Sequence, residues 1–331
     1  MRLRRREFLM GAAAVTGFVS RLRAEGTTRR SAQGANQARL DRVAIMSANF
    51  DKALKVGAGA PSDAARTLDV MDLAQMIADR FGVHRIELEH AHFLSTEAAY
   101  LKDLKDRVAK AKSQITQINT EFQGSNASAG GFSARAQAID LAKQWIDHAE
   151  ALGCPRVMVN PGTLAENART NAIEALKIMG EYGRAGKVTV SIENRDNGAP
   201  PPAPPSPPPA ASAVQQAAQA GAGRGGGGGT PAVPPTWQVV VDVAKAAGIM
   251  VTPNVGYFPN EIERAAGLKA MFALMPGTTH CAVDAAKYSF ANAIKISKDA
   301  AYKGLYAIGT GGAADPYAAT KAVLDELLKN I

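Results

Sequence analysis

Residues 188–195 end in three polar side chains that could carry out chemistry. A run of β-branched and aliphatic residues leads into Glu193, Asn194 and Arg195. Such a run is typical of a buried parallel strand. Polar residues at the carboxyl end of a barrel strand face the site that the following loops enclose. Glu193 is therefore a candidate acid or base, although a strand-end carboxylate that only bonds neighbouring backbone fits the same pattern.

More titratable residues occur at the ends of the second and third predicted strands, namely Glu87, Glu89, His90, His92 and Glu121. They could recognise substrate hydroxyls, or a histidine and a carboxylate could hold a metal. A solvated loop is the alternative interpretation. Asn160 ends the fourth predicted strand and is expected to line the same pocket. His280 precedes the seventh predicted strand, so we expect a structural residue at the opposite face of the barrel.

The elements that would position these residues alternate between strand and helix. Apolar runs predict strands at 43–47, 84–89, 115–121, 155–160, 188–195, 249–252, 281–284 and 304–308. Helical spacing predicts helices at 68–81, 96–111, 133–152, 167–182, 237–247, 262–274, 294–301 and 315–330, with Gly82 and Gly153 as C-caps. Eight such units predict a (β/α)₈ TIM barrel. A doubly wound sheet is the alternative, but no Gly-x-Gly-x-x-Gly follows an early strand.

A single barrel domain over residues 31–331 accounts for the length of 331 residues and the 46% hydrophobic content. Residues 199–235 are rich in Pro, Ala and Gly, including five consecutive glycines. This composition cannot bury enough apolar surface to offset chain entropy, which predicts a disordered insertion after strand five. Cys154 and Cys281 each open a predicted strand, so we expect two buried thiols and no disulfide.

The net charge of +8 is concentrated at the N-terminus, where residues 1–30 hold eight arginines and two glutamates. The rest of the chain is nearly neutral, which argues against nucleic acid as a partner. Arg5-Arg6 followed by Phe8-Leu9 and a short apolar run resembles a twin-arginine export signal. The resemblance implies export to the periplasm, and the run is too short for a stable membrane span. A disordered basic tail is the alternative.

Five segments in order carry a family resemblance, at residues 152–162, 191–194, 253–259, 286–290 and 302–308. Together they resemble the sugar phosphate isomerase/epimerase family with a xylose isomerase-like TIM barrel. The resemblance covers residues 43–331 apart from the insertion. It implies a small carbohydrate or polyol as partner, a divalent metal held by carboxylates and a histidine, and proton transfer next to a carbonyl. It leaves the oligomeric state open.

The resemblance also assigns roles to individual residues. Glu193 matches the strand-five base and metal ligand, and Lys287 lies at the mouth of strand seven as a second catalytic residue. The expected substrate contacts are Asn160, Asn194, Arg195, Asn254, Tyr257, Glu89 and His92. The segment Gly309-Thr-Gly-Gly312 is either a loop whose backbone N–H groups bind a phosphate, called a phosphate cradle below, or a worn active-site loop, meaning one that has lost its catalytic side chain.

Several positions depart from the family pattern, and they weaken the expected metal site. Asn254 stands where the family has an Asp ligand, Ala285 where many members have a His, and Gly309 where a second Glu is usual. Attraction for a dication should fall by on the order of several kcal/mol. Glu193 would then be the one charged ligand, with Asn254 as a weak neutral ligand, so Mn²⁺ or Mg²⁺ binding is expected to be weak.

Two functions follow from these observations. The first is a sugar isomerase/epimerase-like enzyme with a depleted metal site. The alternative is a catalytically inactive carbohydrate-binding or scaffold protein of the periplasm. An endonuclease on the same barrel would need a cluster of His and carboxylate ligands and a basic groove, neither of which the sequence shows.

Overall fold

The computed structural model describes residues 34, 36–55, 65–122, 126–194, 236–284 and 286–331. Two compact units divide the chain, Met1–Asp41 and Arg42–Ile331. In the first unit, residues 36–40 are helical. The second unit contains every strand that the described residues form. The expected export signal in residues 1–30 and the expected insertion at 199–235 lie outside the described residues.

The described part of Arg42–Ile331 alternates strands and helices. Its strands are β1 Val43–Met46, β2 Arg85–Glu89, β3 Gln114–Thr120, β4 Arg156–Val159, β5 Thr189–Glu193, β6 Met250–Thr252, β7 Thr278–Cys281 and β8 Leu305–Ile308. Its α-helices are α1 Val70–Phe81, α2 Ala98–Lys110, α3 Phe132–Leu152, α4 Arg169–Ala185, α5 Trp237–Ala247, α6 Glu261–Phe272, α7 Phe290–Asp299 and α8 Pro316–Asn330.

The strands form one parallel sheet in the order β6-β5-β4-β3-β2-β1-β8-β7, so β1 pairs with both β2 and β8. The sheet curls until its two ends meet. Backbone bonds from His280 N to Pro253 O (2.8 Å) and from Val255 N to His280 O (3.0 Å) join β7 to the chain just beyond β6. This closure confirms the predicted (β/α)₈ barrel.

Helix ends and strand bounds lie within three residues of the sequence prediction, except that α7 begins at Phe290, four residues before the predicted start at residue 294. Gly82 and Gly153 adopt φ angles of 65° and 74° at the ends of α1 and α3, which confirms them as C-caps. The prediction for strand seven was wrong by three residues, because β7 spans Thr278–Cys281 and not 281–284. The polar Thr-Thr-His start of β7 resembled a loop, although all four of its residues are buried.

Apolar residues fill the layer between sheet and helices. Ile45, Ile86 and Ile308 are fully buried, and register pairs place them on the same outward face of β1, β2 and β8. Cys154 and Cys281 are buried free thiols, and burial raises the pKa of the Cys154 thiol to about 12. Among the described residues, no helix combines the length and the apolarity that a membrane crossing requires.

The inside of the barrel is divided into two halves. On the β1–β8 side, Ala44, Met46 and Ala307 form a small apolar cluster. On the opposite side the inward residues of β2, β3, β5 and β7 are polar, and Met158 of β4 lies among them. Buried polar groups must find hydrogen-bond partners. The polar half is therefore where a network of side chains has to be sought.

We predict that Gly267→Ala destabilises the barrel. A Cβ at this position of α6 would lie 2.3 Å from Phe258 Cε1 and 2.9 Å from Trp237 Cγ, so both rings would have to move. Overpacking of this kind costs about 1–3 kcal/mol, which exceeds the gain of about 1 kcal/mol from replacing a helical glycine. Urea denaturation should show a net loss of up to about 2 kcal/mol.

The control for this prediction is Gly130→Ala, at an exposed position in the loop before α3, where an added Cβ meets no heavy atom within 4 Å. Its stability should stay within about 0.5 kcal/mol of the wild type. Equal stability of the two variants would contradict the packing argument.

Candidate active site at the carboxyl end of the barrel

A register shift between β2 and β3 brings four polar side chains together. Ile86 pairs with Ile115, whereas Glu87 pairs with Gln117 and Glu89 with Asn119. The shift leaves Thr116 unpaired, and its Oγ1 donates to Ile86 O at 3.0 Å. Because paired residues of parallel strands share a face, the shift aims these acids and amides into the barrel.

Amide groups of β3 bind both acids of β2. Asn119 Nδ2 donates to Glu87 Oε1 and to Glu89 Oε1, both at 2.9 Å. Gln117 Nε2 donates to Glu87 Oε1 at 3.2 Å and to Asn119 Oδ1 at 3.0 Å. The N–H groups of two amides therefore converge on one buried carboxylate oxygen.

His280 is the central residue of the site, which corrects the expectation that it lies at the opposite face. Its Nδ1 is 2.5 Å from Glu193 Oε1, and its Nε2 is 2.5 Å from Glu87 Oε1. His280 lies inside β7, and not before it, and that register turns the ring into the barrel. The polar Thr278-Thr-His start of β7 carries no apolar signal that would have predicted this placement.

All three members of this cluster are buried. Glu87 is 0% exposed, and Glu193 and His280 are each 4% exposed. Burial by itself lowers the pKa of His280, but the carboxylates of Glu87 and Glu193 raise it well above its ordinary value. The ring therefore carries a positive charge between two acids.

Glu193 lies where the sequence predicts, at the end of β5 and inside the barrel. Asn254, just beyond β6, donates from Nδ2 to Glu193 Oε1 at 2.9 Å. Asn254 Oδ1 accepts from Gly256 N at 3.0 Å. The amide is thereby oriented with its N–H towards Glu193. The oxygen that we expected as a neutral metal ligand is already bonded to backbone.

Asn194 connects β5 to the loop after β6. Its Nδ2 donates to the backbone oxygens of Asn254 (3.1 Å) and Tyr257 (2.9 Å). Its Oδ1 accepts from Asn254 N at 2.7 Å. Since the residue is 1% exposed and its amide makes three backbone bonds, it positions Asn254. We expected Asn194 to contact the substrate directly, whereas in the structure its amide holds the backbone of Asn254 and Tyr257.

The histidines after β2 are buried, so the solvated-loop interpretation was wrong. His92 Nδ1 lies 2.8 Å from Ser47 Oγ, and its Nε2 lies 2.6 Å from Asp51 Oδ1. His90 Nδ1 accepts from Glu121 N at 3.2 Å. Burial lowers the pKa of His90 to about 3, so its ring is neutral. Through these contacts, both histidines hold the loops at the carboxyl end of the barrel in place.

Glu89 is the titratable group most suited to proton transfer at neutral pH. Desolvation raises the pKa of its carboxyl to about 8, opposed by the hydrogen bond from Asn119 and assisted by the nearby charges of Glu121, Asp51 and Glu87. The sequence indicated this residue only as a substrate contact. Its raised pKa arises from the surrounding strands, which a single sequence does not reveal.

The other predicted site residues that the structure describes, Asn160, Tyr257 and Lys287, lie around the rim. Asn160 Nδ2 donates to Glu121 Oε2 at 3.0 Å, which joins the ends of β4 and β3. Tyr257 is partly exposed in the loop after β6, and Arg195 lies outside the described residues. The side chain of Lys287 is 64% exposed, and its Nζ is 3.8 Å from Asp284 Oδ2. The structure thus places Lys287 on the surface after β7 and does not bring it to the Glu193 cluster.

The glycine segment after β8 is already engaged by protein groups. Gly309 N donates to Cys281 O at 2.7 Å, and Thr310 N donates to Asn49 Oδ1 at 2.9 Å. A phosphate cradle needs several N–H groups that point at the ligand. Because two of them have protein partners, the worn active-site loop is the better interpretation of this segment.

The polar cluster does not fit a divalent metal. Within the described ranges, no three His, Cys, Asp or Glu residues are arranged so that they could hold one. Both nitrogens of His280 face carboxylates, and Asn254 turns an N–H towards Glu193. Within the described residues, the oxygens of Glu87 and Gln117 that have no hydrogen-bond partner are Glu87 Oε2 and Gln117 Oε1, and these are too few ligands for Mn²⁺ or Mg²⁺.

Comparisons with known proteins agree with the fold. A model of the family described as xylose isomerase-like TIM barrel matches residues 75–202. A search of curated proteins found no match. D-psicose 3-epimerase from Clostridium cellulolyticum H10, solved with D-tagatose, has a TM-score of 0.59 at 11% identity and covers 87% of this chain and 96% of its own.

Two further solved structures are similar to the same extent. L-ribulose 3-epimerase has a TM-score of 0.62 at 11% identity, covering 87% of this chain and 94% of its own. D-allulose 3-epimerase from Methylomonas sp., in complex with D-allulose, has a TM-score of 0.61 at 11% identity, covering 88% and 98%. At these identities the likeness establishes the fold alone.

We predict that Glu89→Gln removes a pH-dependent loss of stability. A carboxyl whose pKa is about 8 in the folded state and 4.5 in the unfolded state keeps its proton longer when folded. Stability from this group is therefore complete below pH 4.5 and decreases as pH rises through 8. Urea denaturation at pH 5, 6.5 and 8 should show the variant gaining stability relative to wild type as pH rises.

Glu174→Gln, at an exposed position on α4, reports the general effect of removing one negative charge. A pH dependence that is the same in both variants would contradict the assignment to Glu89.

We also predict that Asn194→Ala destabilises the protein by about 3 kcal/mol, because buried backbone groups each cost about 1–3 kcal/mol when left without partners. The measurement is the free energy of unfolding in urea. Asn292→Ala on the exposed side of α7 is the matched control, with an expected change within about 0.5 kcal/mol. Similar losses at the two positions would show that Asn194 does not hold the β6 loop.

Proposed function

We propose that this protein belongs to the xylose isomerase-like family and binds a small carbohydrate or polyol at the carboxyl end of its barrel. There it acts as a sugar isomerase/epimerase-like enzyme, by proton transfer next to a carbonyl. The observation that carries this proposal is the convergence of Glu193, Asn254, Glu87 and His280 in one hydrogen-bonded cluster. Support comes from the fold, which solved sugar epimerases share.

Proton transfer next to a carbonyl needs a base and an acid in different protonation states. Glu193 accepts hydrogen bonds from Asn254 and His280, which suits it to the role of the ionised base. Glu89 keeps its proton at neutral pH, since its pKa is about 8, and is the acid. The exposed ammonium of Lys287 is a rim contact that donates to a hydroxyl oxygen of the ligand.

The charge that develops on the substrate oxygen must be stabilised by groups of this chain. Donors held in fixed positions inside a low-dielectric site do this efficiently. Asn254 Nδ2 carries a second N–H beyond the one bonded to Glu193 and supplies such a donor, while the charged His280 ring beside Glu193 adds positive potential without donating to the substrate. No step in this proposal passes through a metal ion, because the cluster does not fit one.

A catalytically inactive carbohydrate-binding protein is the second candidate, and Gly309 favours it. The resemblance places a second carboxylate at this position, whereas an added Cβ here would be 3.6 Å from Met46 Sδ and 3.8 Å from Cys281 O, in ordinary contact. The site thus has room for a larger side chain that the sequence lacks. In either case, we propose export to the periplasm through the arginine-rich N-terminus.

The experiment is hydrogen exchange in D₂O with a panel of aldoses and ketoses. We predict deuterium incorporation at the carbon next to the carbonyl, detected by NMR or mass spectrometry, with no added metal. Glu193→Gln should slow this exchange by roughly 10²–10⁴-fold, because it removes the base.

Glu174→Gln on the outer surface should leave the exchange rate unchanged. Stabilisation by a sugar without exchange would replace the enzyme proposal with the binding protein. Exchange that persists in Glu193→Gln would end the role of Glu193 as the base.

A further inference from the structure

The contacts of His280 leave it no lone pair for a metal. A carboxylate oxygen only accepts hydrogen bonds, and a neutral imidazole carries a single N–H. Both ring nitrogens lie 2.5 Å from a carboxylate oxygen, of Glu193 on one side and Glu87 on the other. If the ring were neutral and both acids ionised, one ring nitrogen would face a carboxylate oxygen with no hydrogen between them. His280, Glu87 and Glu193 together therefore hold one additional proton. Whichever atom carries that proton, both nitrogens are engaged.

The ring is also fixed in position by the backbone that closes the barrel. His280 N donates to Pro253 O, and His280 O accepts from Val255 N. Asn254 and His280 are paired as an isolated bridge at the same place. These bonds fix the backbone of His280, and the contacts with Glu193 and Glu87 hold the ring itself.

The surrounding amides direct N–H groups, and not oxygens, at the same carboxylates. Asn254 Nδ2 reaches Glu193 Oε1, and Asn119 Nδ2 and Gln117 Nε2 reach Glu87 Oε1. An ion at these oxygens would meet the positive ends of three amide dipoles. The arrangement is suited to stabilising two anions and is unfavourable for a dication.

Two buried carboxylates nevertheless need a positive charge between them. Burying an ionised group without a counter-charge costs several kcal/mol, and removing one member of a buried pair is strongly destabilising. Glu87 and Glu193 approach the same ring from opposite sides, and both lie almost wholly out of solvent.

We propose that His280 is the built-in cation of this barrel: its imidazolium occupies the position between Glu87 and Glu193 where a divalent metal would otherwise neutralise them, and makes the site metal-independent. His280 acts here as a positioning residue, which holds Glu193 in place and supplies the charge. The inference concerns the cation alone and does not rest on sugar chemistry.

The test is a Mn²⁺ titration of the full chain after EDTA dialysis, followed by electron paramagnetic resonance of free Mn²⁺ and by thermal unfolding. Wild type should bind no Mn²⁺ with Kd below about 1 mM, and EDTA should leave its Tm unchanged. His280→Ala removes the ring that lies between the two carboxylates. This variant should lose stability and gain at least about tenfold in Mn²⁺ affinity, with a Tm that rises with Mn²⁺.

His92→Ala is the matched control, since His92 is equally buried at the same end of the barrel but faces Ser47 and Asp51. It should lose stability without gaining Mn²⁺ affinity. Micromolar Mn²⁺ binding by wild type would overturn the proposal. So would the absence of any gain in folded His280→Ala, or an equal gain in His92→Ala.

If His280→Ala does not fold, ¹⁵N NMR of the histidine rings in wild type decides the question. Two protonated nitrogens on His280 at neutral pH support the proposal, and a ring nitrogen with a free lone pair overturns it. Neither measurement uses a sugar. Failure of the exchange experiment would therefore disprove the enzyme proposal and leave this inference standing.

Discussion

The need to neutralise two acids inside a protein is the constraint on which this barrel depends. Glu87 lies on β2 and Glu193 on β5, and both side chains are buried. Their charges are tolerable because the His280 ring lies between them and because amides donate to the same oxygens. Strand register, barrel closure and site electrostatics are thus parts of a single arrangement.

The division of the barrel interior bears on what can bind there. One half presents Ala44, Met46 and Ala307, and the other presents acids, amides and a charged ring. Ala44 and Ala307 are 0% exposed, so the apolar half is closed to a ligand. Glu89, at the end of β2, is partly exposed.

Most of the architecture could be predicted from the sequence, because strand and helix periodicity and glycine caps are local signals. The end of β5 and Glu193 followed from a run of buried β-branched residues. The role of His280 could not be found in this way, since the Thr-Thr-His start of β7 resembles a loop. The pairing of Glu87 with Gln117 depends on a register shift, which is decided between strands and leaves no periodic trace in either one.

The junction between β6 and β7 has a consequence for the dynamics of the chain. β6 is only three residues long, and the two strands meet through loop backbone beyond its end. Local opening starts at a short junction of this kind, and amide protons there should exchange before those of β1 or β2. Asn254 and His280 both belong to this junction. Completing the barrel and assembling the polar cluster are consequently one cooperative event, so a partly folded chain has no competent site.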